Sequence, residues 1–143
     1  MLEILDTAAV LGLALPRAEQ FPSIGYLDLI AKGLSVKALE RLSSAVAPDD
    51  VSFKYRIVPK ASLARATTSR RLNHNQSVVV TRLATIWSQA LRIWKSEEAA
   101  REFLFKTHPL LADRRPIDLI LDNEIGAALV RDLLGRLEVG VAA

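Results

Sequence analysis

Hydrophobic residues recur at helical spacing along most of the chain. Ile24, Leu27 and Ile30 repeat every third residue and predict a helix from Ser23 to about Lys32, which Gly33 can end. Ser35 is a good N-cap for the next helix, where Val36, Leu39, Leu42 and Val46 form one apolar stripe before Pro48. Asp49 or Asp50 can cap a short helix through Phe53 and Tyr55. Pro59 starts another, to about Thr67: proline suits a first helical turn, and the residue before it is pushed out of the α region. Arg71 to Gln76 is polar and reads as a loop. Ser77 is then placed to cap a long helix to about Lys95, with a stripe that includes Val79, Leu83, Ile86, Trp87, Ala90 and Trp94.

The C-terminal part continues the pattern. Ser96 caps a helix whose Glu97 and Glu98 suit the positive end of the helix dipole, with Ala99, Phe103 and Leu104 as its apolar members. His108-Pro109 ends it, Leu110 to Arg115 is a connection, and Pro116 opens a short helical turn with Leu119 and Ile120. Asn123 caps a last helix in which Ile125, Leu129, Leu133 and Leu137 recur every fourth residue, widened by Val130 and Leu134. Gly140 can end it in a left-handed cap. No stretch reads as a strand and there is no internal repeat, so the expected fold class is all-α.

Composition narrows the function classes. Of the 143 residues, 50% are hydrophobic and 24% charged, which excludes disorder and predicts a packed core. The absence of cysteine excludes a disulfide framework, a thiolate nucleophile and a thiolate metal site. His74 and His108 have no metal-pair spacing, the glycines form no phosphate loop, and no serine sits in a nucleophile elbow. The chain is therefore expected to be neither an enzyme nor a metal or cofactor binder. No apolar run reaches the roughly 20 residues of a membrane span, and Met1 to Leu15 lacks the basic start of a signal peptide. A cytoplasmic protein follows as the expectation.

Charge is segregated. The net charge is −3 over residues 1–50, +7 over 51–82 and −1 over 83–143. The middle window carries Lys54, Arg56, Lys60, Arg65, Arg70, Arg71 and Arg82 and no acid, a distribution that favours a polyanion. Within it, a short helix, a turn and a basic second helix fit the helix-turn-helix plan. A solvated face is the plainer reading of the same window.

Three ordered blocks then carry a resemblance. Ala90, Trp94, Ala99 and Phe103-Leu104 precede His108-Pro109-Leu110 and Arg114-Arg115-Pro116-Ile117-Asp118-Leu119. Glu124-Ile125-Gly126-Ala127, Val130, Leu133-Leu134-Gly135-Arg136-Leu137 and Gly140 follow. Over residues 75–143 this resembles the C-terminal domain of the Xre/MbcA/ParS antitoxins. More loosely, residues 23–74 resemble their Xre-type helix-turn-helix half, with Val58-Pro59-Lys60-Ala61-Ser62-Leu63-Ala64-Arg65 standing where that family has "I-P-x-x-T-L-x-R". The resemblance implies a type II antitoxin whose partner is a RES-domain toxin that depletes NAD. In that family the C-terminal domain covers the toxin's active-site entrance, the helix-turn-helix half represses the shared operon, and the protein is usually a homodimer.

Three segments follow: an N-terminal stretch 1–22, a helix-turn-helix region 23–76, and a toxin-binding and dimerisation region 77–143. Lys60, Ser62 and Arg65 are expected to approach the groove of operator DNA, and Lys54, Arg56, Arg70 and Arg71 its phosphates. Arg114, Arg115 and Arg136 are the candidate anchors for the toxin, with Gly140, Val141, Ala142 and Ala143 as a small tail able to enter a narrow cleft. Two rival readings stay open: a transcriptional regulator with no toxin partner, and a helical dimerisation module whose basic window is only solvated.

Overall fold

A computed structural model of the chain describes residues 2–13 and 22–140. They form helices α1 (Leu2–Val10), α2 (Pro22–Lys32), α3 (Val36–Val46), α4 (Lys60–Ser69), α5 (His74–Trp94), α6 (Glu97–Phe105), α7 (Pro116–Asp122) and α8 (Glu124–Glu138). Single 3₁₀ turns occupy Phe53–Arg56 and Pro109–Leu111. Among the described residues there is no strand. Two isolated antiparallel bridges, Ser35 with Arg71 and His108 with Arg114, come nearest to one. The fold is all-α, as the periodicity predicts. Packing divides it into two units, Met1–Thr85 and Ile86–Ala143.

In the first unit α1 packs on α2, and α3 packs on the 3₁₀ turn and on α4. The stripe on α3 is buried as expected: Leu39, Leu42 and Val46 are fully inside, each worth about 1.5–3 kcal/mol. Ser35 caps it, accepting from the Ala38 amide at 3.2 Å. Three expectations change. Asp50 does not cap an α-helix; its carboxylate accepts from the Ser52 amide and hydroxyl, which holds it below the usual carboxylate range, and a 3₁₀ turn follows. On α2, Ile24 and Leu27 are more than half exposed, and Tyr26 is buried instead. The third change concerns α5. Its N-cap is Asn73, whose side chain accepts from the Gln76 amide at 2.8 Å while Gln76 accepts from the Asn73 amide at 3.0 Å. This reciprocal pair satisfies two otherwise orphaned amides and starts the helix three residues before Ser77.

Ser77 has a different task. Its buried hydroxyl donates to the Asn73 carbonyl at 2.8 Å and accepts from the Leu34 amide at 2.9 Å, joining the α2–α3 corner to α5. Nearby, the Val36 amide donates to the Arg70 carbonyl and the Leu72 amide to the Leu34 carbonyl. The approach needs Gly33. Its φ is +94°, and a Cβ there would collide with the Leu72 carbonyl oxygen.

In the second unit α6 packs on α7 and α7 on α8. Ser96 caps α6 and Asn123 caps α8, the latter accepting from the Gly126 amide at 2.8 Å. Gly126 lets α8 lie against α7, because any Cβ at this position would meet the Leu119 carbonyl oxygen. Between α6 and α7 the turn carries two consecutive left-handed non-glycine residues, Ala112 (φ 53°) and Asp113 (φ 58°), at about 1–2 kcal/mol each. Backbone bonds hold it closed: the Asp113 amide donates to the His108 carbonyl, and the His108 amide to the Arg114 carbonyl.

Ser77→Ala leaves the buried Leu34 amide without an acceptor. The expected cost is about 1–3 kcal/mol, read as a lower urea midpoint at unchanged slope.

Candidate functional site

Six cations of the first unit, Lys54, Arg56, Lys60, Arg65, Arg70 and Arg71, lie on α4 and its flanks. Lys60 and Arg65 both project from α4 and are exposed; Leu63, between them, is buried and seats the helix. Ser62 is half-buried, and its hydroxyl accepts from Arg65 Nη2 at 3.4 Å. Arg70 is the left-handed C-cap of α4 and is exposed; Arg71 beside it donates from Nη1 to the Gly33 carbonyl at 3.2 Å. Both arginines line a shallow cavity of about 350 Å³ with Gly33, Ser35 and Ser69.

The remaining two cations are partly engaged by their own fold. Lys54 Nζ lies 3.8 Å from Glu40 Oε1, so an acid from outside the acid-free window faces it. Arg56 sits 6.0 Å from the Phe53 ring centroid. Sequence reasoning passed over Tyr55, the half-exposed ring that lies 5.5 Å from Lys54 Nζ and 5.9 Å from Lys60 Nζ. Such contacts with a π-face restrain flexible ammonium groups. The aromatic-basic run Phe53-Lys54-Tyr55-Arg56 was the signal that could have marked it.

The second unit has an apolar surface in place of a cationic one. The stripe expected on α8 turns out to be rotated. Gly126, Ala127, Val130, Leu133 and Leu134 face inward, while Ile125 is 76% and Leu129 51% exposed. The close contact at Gly126 sets this direction; Ile125, one residue away, sits about 100° round the helix. Ile125 and Leu129 are therefore surface residues that a spacing-of-four pattern assigns to the core. Arg136 is exposed on the same face, seven residues from Leu129. The adjacent Gly135 has open space where a Cβ would go.

The three candidate arginines of this unit differ in their availability. Arg115 donates from Nε and Nη2 to both carboxylate oxygens of Asp118, at 2.8 and 2.9 Å, and its guanidinium lies 5.9 Å from the Phe105 ring. Its hydrogen bonds to Asp118 raise its pKa further. Arg115 is thus held within its own unit, whereas Arg114 and Arg136 are exposed. Gly140 follows α8 with φ +78°, the left-handed turn expected of it. Val141, Ala142 and Ala143 lie outside the described residues. At the end of α8, Arg92 Nε donates to Glu138 at 2.9 Å, which keeps that carboxyl below its usual range.

Among the described residues no cluster of His, Asp and Glu could hold a metal, and no helix is long and apolar enough to cross a membrane. The described residues thus present a cationic surface on the first unit and exposed apolar side chains on the second. Residues 89–140 match a family model described as the antitoxin Xre/MbcA/ParS C-terminal toxin-binding domain. That domain indicates a toxin-binding antitoxin of a toxin–antitoxin system, with a toxin protein as partner. No curated protein matches the chain.

Ile125→Asp and Leu129→Asp are expected to change stability by only about 0.5 kcal/mol, because both positions face solvent. Leu134→Asp, at a fully buried position, is expected to unfold the second unit. Thermal melts of the three variants check the orientation of α8.

Proposed function

We propose that this chain is the antitoxin of a type II pair, that its second unit blocks the active site of a RES-domain, NAD-degrading toxin, and that its first unit binds operator DNA and represses the operon. The match over residues 89–140 to a toxin-binding domain carries the reading. The matched segment includes all of α8, the helix that exposes Ile125 and Leu129. Apolar side chains with a nearby free cation are the composition of a protein-binding surface. Arg136 and the tail from Gly140 to Ala143 complete the proposed toxin contact.

The exposed cations of α4 support the DNA half. Lys60 and Arg65 project from the short helix that stands second in the helix-turn-helix plan, and Arg70 and Arg71 follow it. Lys60, Ser62 and Arg65 are assigned to the groove; Lys54, Arg56, Arg70 and Arg71 are assigned to phosphates, with Tyr55 steadying the two lysines. A palindromic operator requires two such helices roughly 34 Å apart, hence a homodimer.

Two experiments test the two halves. In cells expressing the RES-domain product of the adjacent gene, the full chain is expected to restore growth and NAD. Chains carrying Ile125→Asp with Leu129→Asp, or lacking residues 139–143, are expected to fail. The truncation spares all of α8 and the Arg92–Glu138 pair, and a thermal melt of the truncated chain checks that it folds. Full rescue by both variants would remove α8 and the tail from the mechanism. For DNA, Arg70→Ala with Arg71→Ala is expected to weaken promoter binding across all sequences and flatten its salt dependence by about two units of slope. An unchanged slope would mean that these arginines touch no phosphate. Promoter binding with no toxin binding would favour the regulator reading, for which the exposed basic α4 is the supporting observation.

A further inference from the structure

We infer that the turn between α6 and α7 is the seam of a homodimer, in which Leu110 of each copy enters an aromatic-walled cavity on the other copy. The inference rests on the homodimer of the proposed function and says which surface forms it.

The cavity lies in the second unit. It measures about 250 Å³ and is lined by Trp94, Ala99, Phe103 and His108, with Glu102 and Lys106 at its margin. The Trp94 and Phe103 rings are 5.9 Å apart and the Phe103 and His108 rings 4.9 Å apart, so three rings stand side by side at the cavity. Trp94 is 38% exposed, unlike the buried Trp87 two turns earlier on α5. The cavity has room for a leucine side chain, and its aromatic walls suit one.

The matching knob comes from the same turn. Leu110 is 75% exposed at its tip, two residues beyond His108, whose Nε2 lies 3.2 Å from the Phe103 carbonyl oxygen. Two left-handed residues and the His108–Arg114 backbone pairing hold the tip in one shape, so little freedom is left to lose on docking. Leu111 seats the turn in its own unit, and Leu110 beside it is left exposed.

Charge complementarity identifies the occupant as a second copy. The knob carries Asp113 and Arg114 beside Leu110; the socket carries Glu102 and Lys106. All four are exposed, and among the described residues none has an ion-pair partner in its own chain. In a two-fold pair each copy both gives and receives a knob, with Arg114 facing the other copy's Glu102 and Asp113 its Lys106. An unrelated partner would have to reproduce both charges in the same order.

Sedimentation of the full chain over a concentration series tests this, with Trp emission read alongside. Wild type is expected to be a dimer whose Trp94 emission shifts to the red on dilution. Leu110→Asp is expected to weaken the dimer at least about 30-fold and to show the red-shifted emission at every concentration. Glu102→Arg and Arg114→Glu are each expected to weaken it about tenfold, and the two together to restore it, which loss of fold in either variant could not do. A wild type that stays monomeric overturns both this seam and the homodimer of the proposed function. A dimer indifferent to Leu110→Asp, or charge reversals that fail to rescue each other, overturns the seam alone. Loss of toxin binding by Leu110→Asp in an intact dimer overturns it too, assigning the turn to the toxin.

Discussion

The Ser77 hydroxyl, buried one turn into α5, bonds in two directions at once, and the arrangement of the first unit depends on both bonds. As donor it closes the first turn of α5 on Asn73; as acceptor it takes the Leu34 amide, which belongs to a corner 43 residues earlier. A buried amide that loses its acceptor is costly, so this one contact fixes where the α2–α3 corner must lie. The Gly33 approach and the exchange of backbone bonds between Leu34–Val36 and Arg70–Leu72 are made at the same corner. They in turn set the end of α4, and with it the side on which Lys60, Arg65, Arg70 and Arg71 meet solvent.

Gly126 plays a comparable part in the second unit. It allows α8 to touch the backbone of α7, and that contact chooses which residues of α8 turn inward. A larger residue would push the helix away or rotate it, and Ile125 and Leu129 would no longer stand on the surface. The proposed toxin contact therefore follows from a packing requirement. No feature of the exposed residues themselves would select their position.

The two units suit different kinds of partner for electrostatic reasons. Cations clustered on one short helix attract a polyanion at long range, and salt weakens that attraction. The second unit is nearly neutral and offers apolar side chains with isolated charges at their edges, which reward a close, shape-matched contact that excludes water.

Helical content, most caps and the burial of α3 were legible in the sequence, because spacing and capping chemistry act within a few residues. Ser35, Ser96 and Asn123 cap where their side chains predict, and Gly140 adopts its left-handed turn. The cationic window was legible for the same reason: charge composition does not depend on fold. The inward direction of α8 was not, since Ile125 and Leu129 fit a spacing-of-four stripe as well as Val130 and Leu134 do, and only contact with Leu119 separates them. Nor was the pairing of Lys54 with Glu40 or of Arg92 with Glu138, which needs the partners to be brought together in space. What composition and periodicity determined was an all-helical chain with a basic middle. Tertiary contact decided which of its cations and which of its leucines were left for a partner to touch.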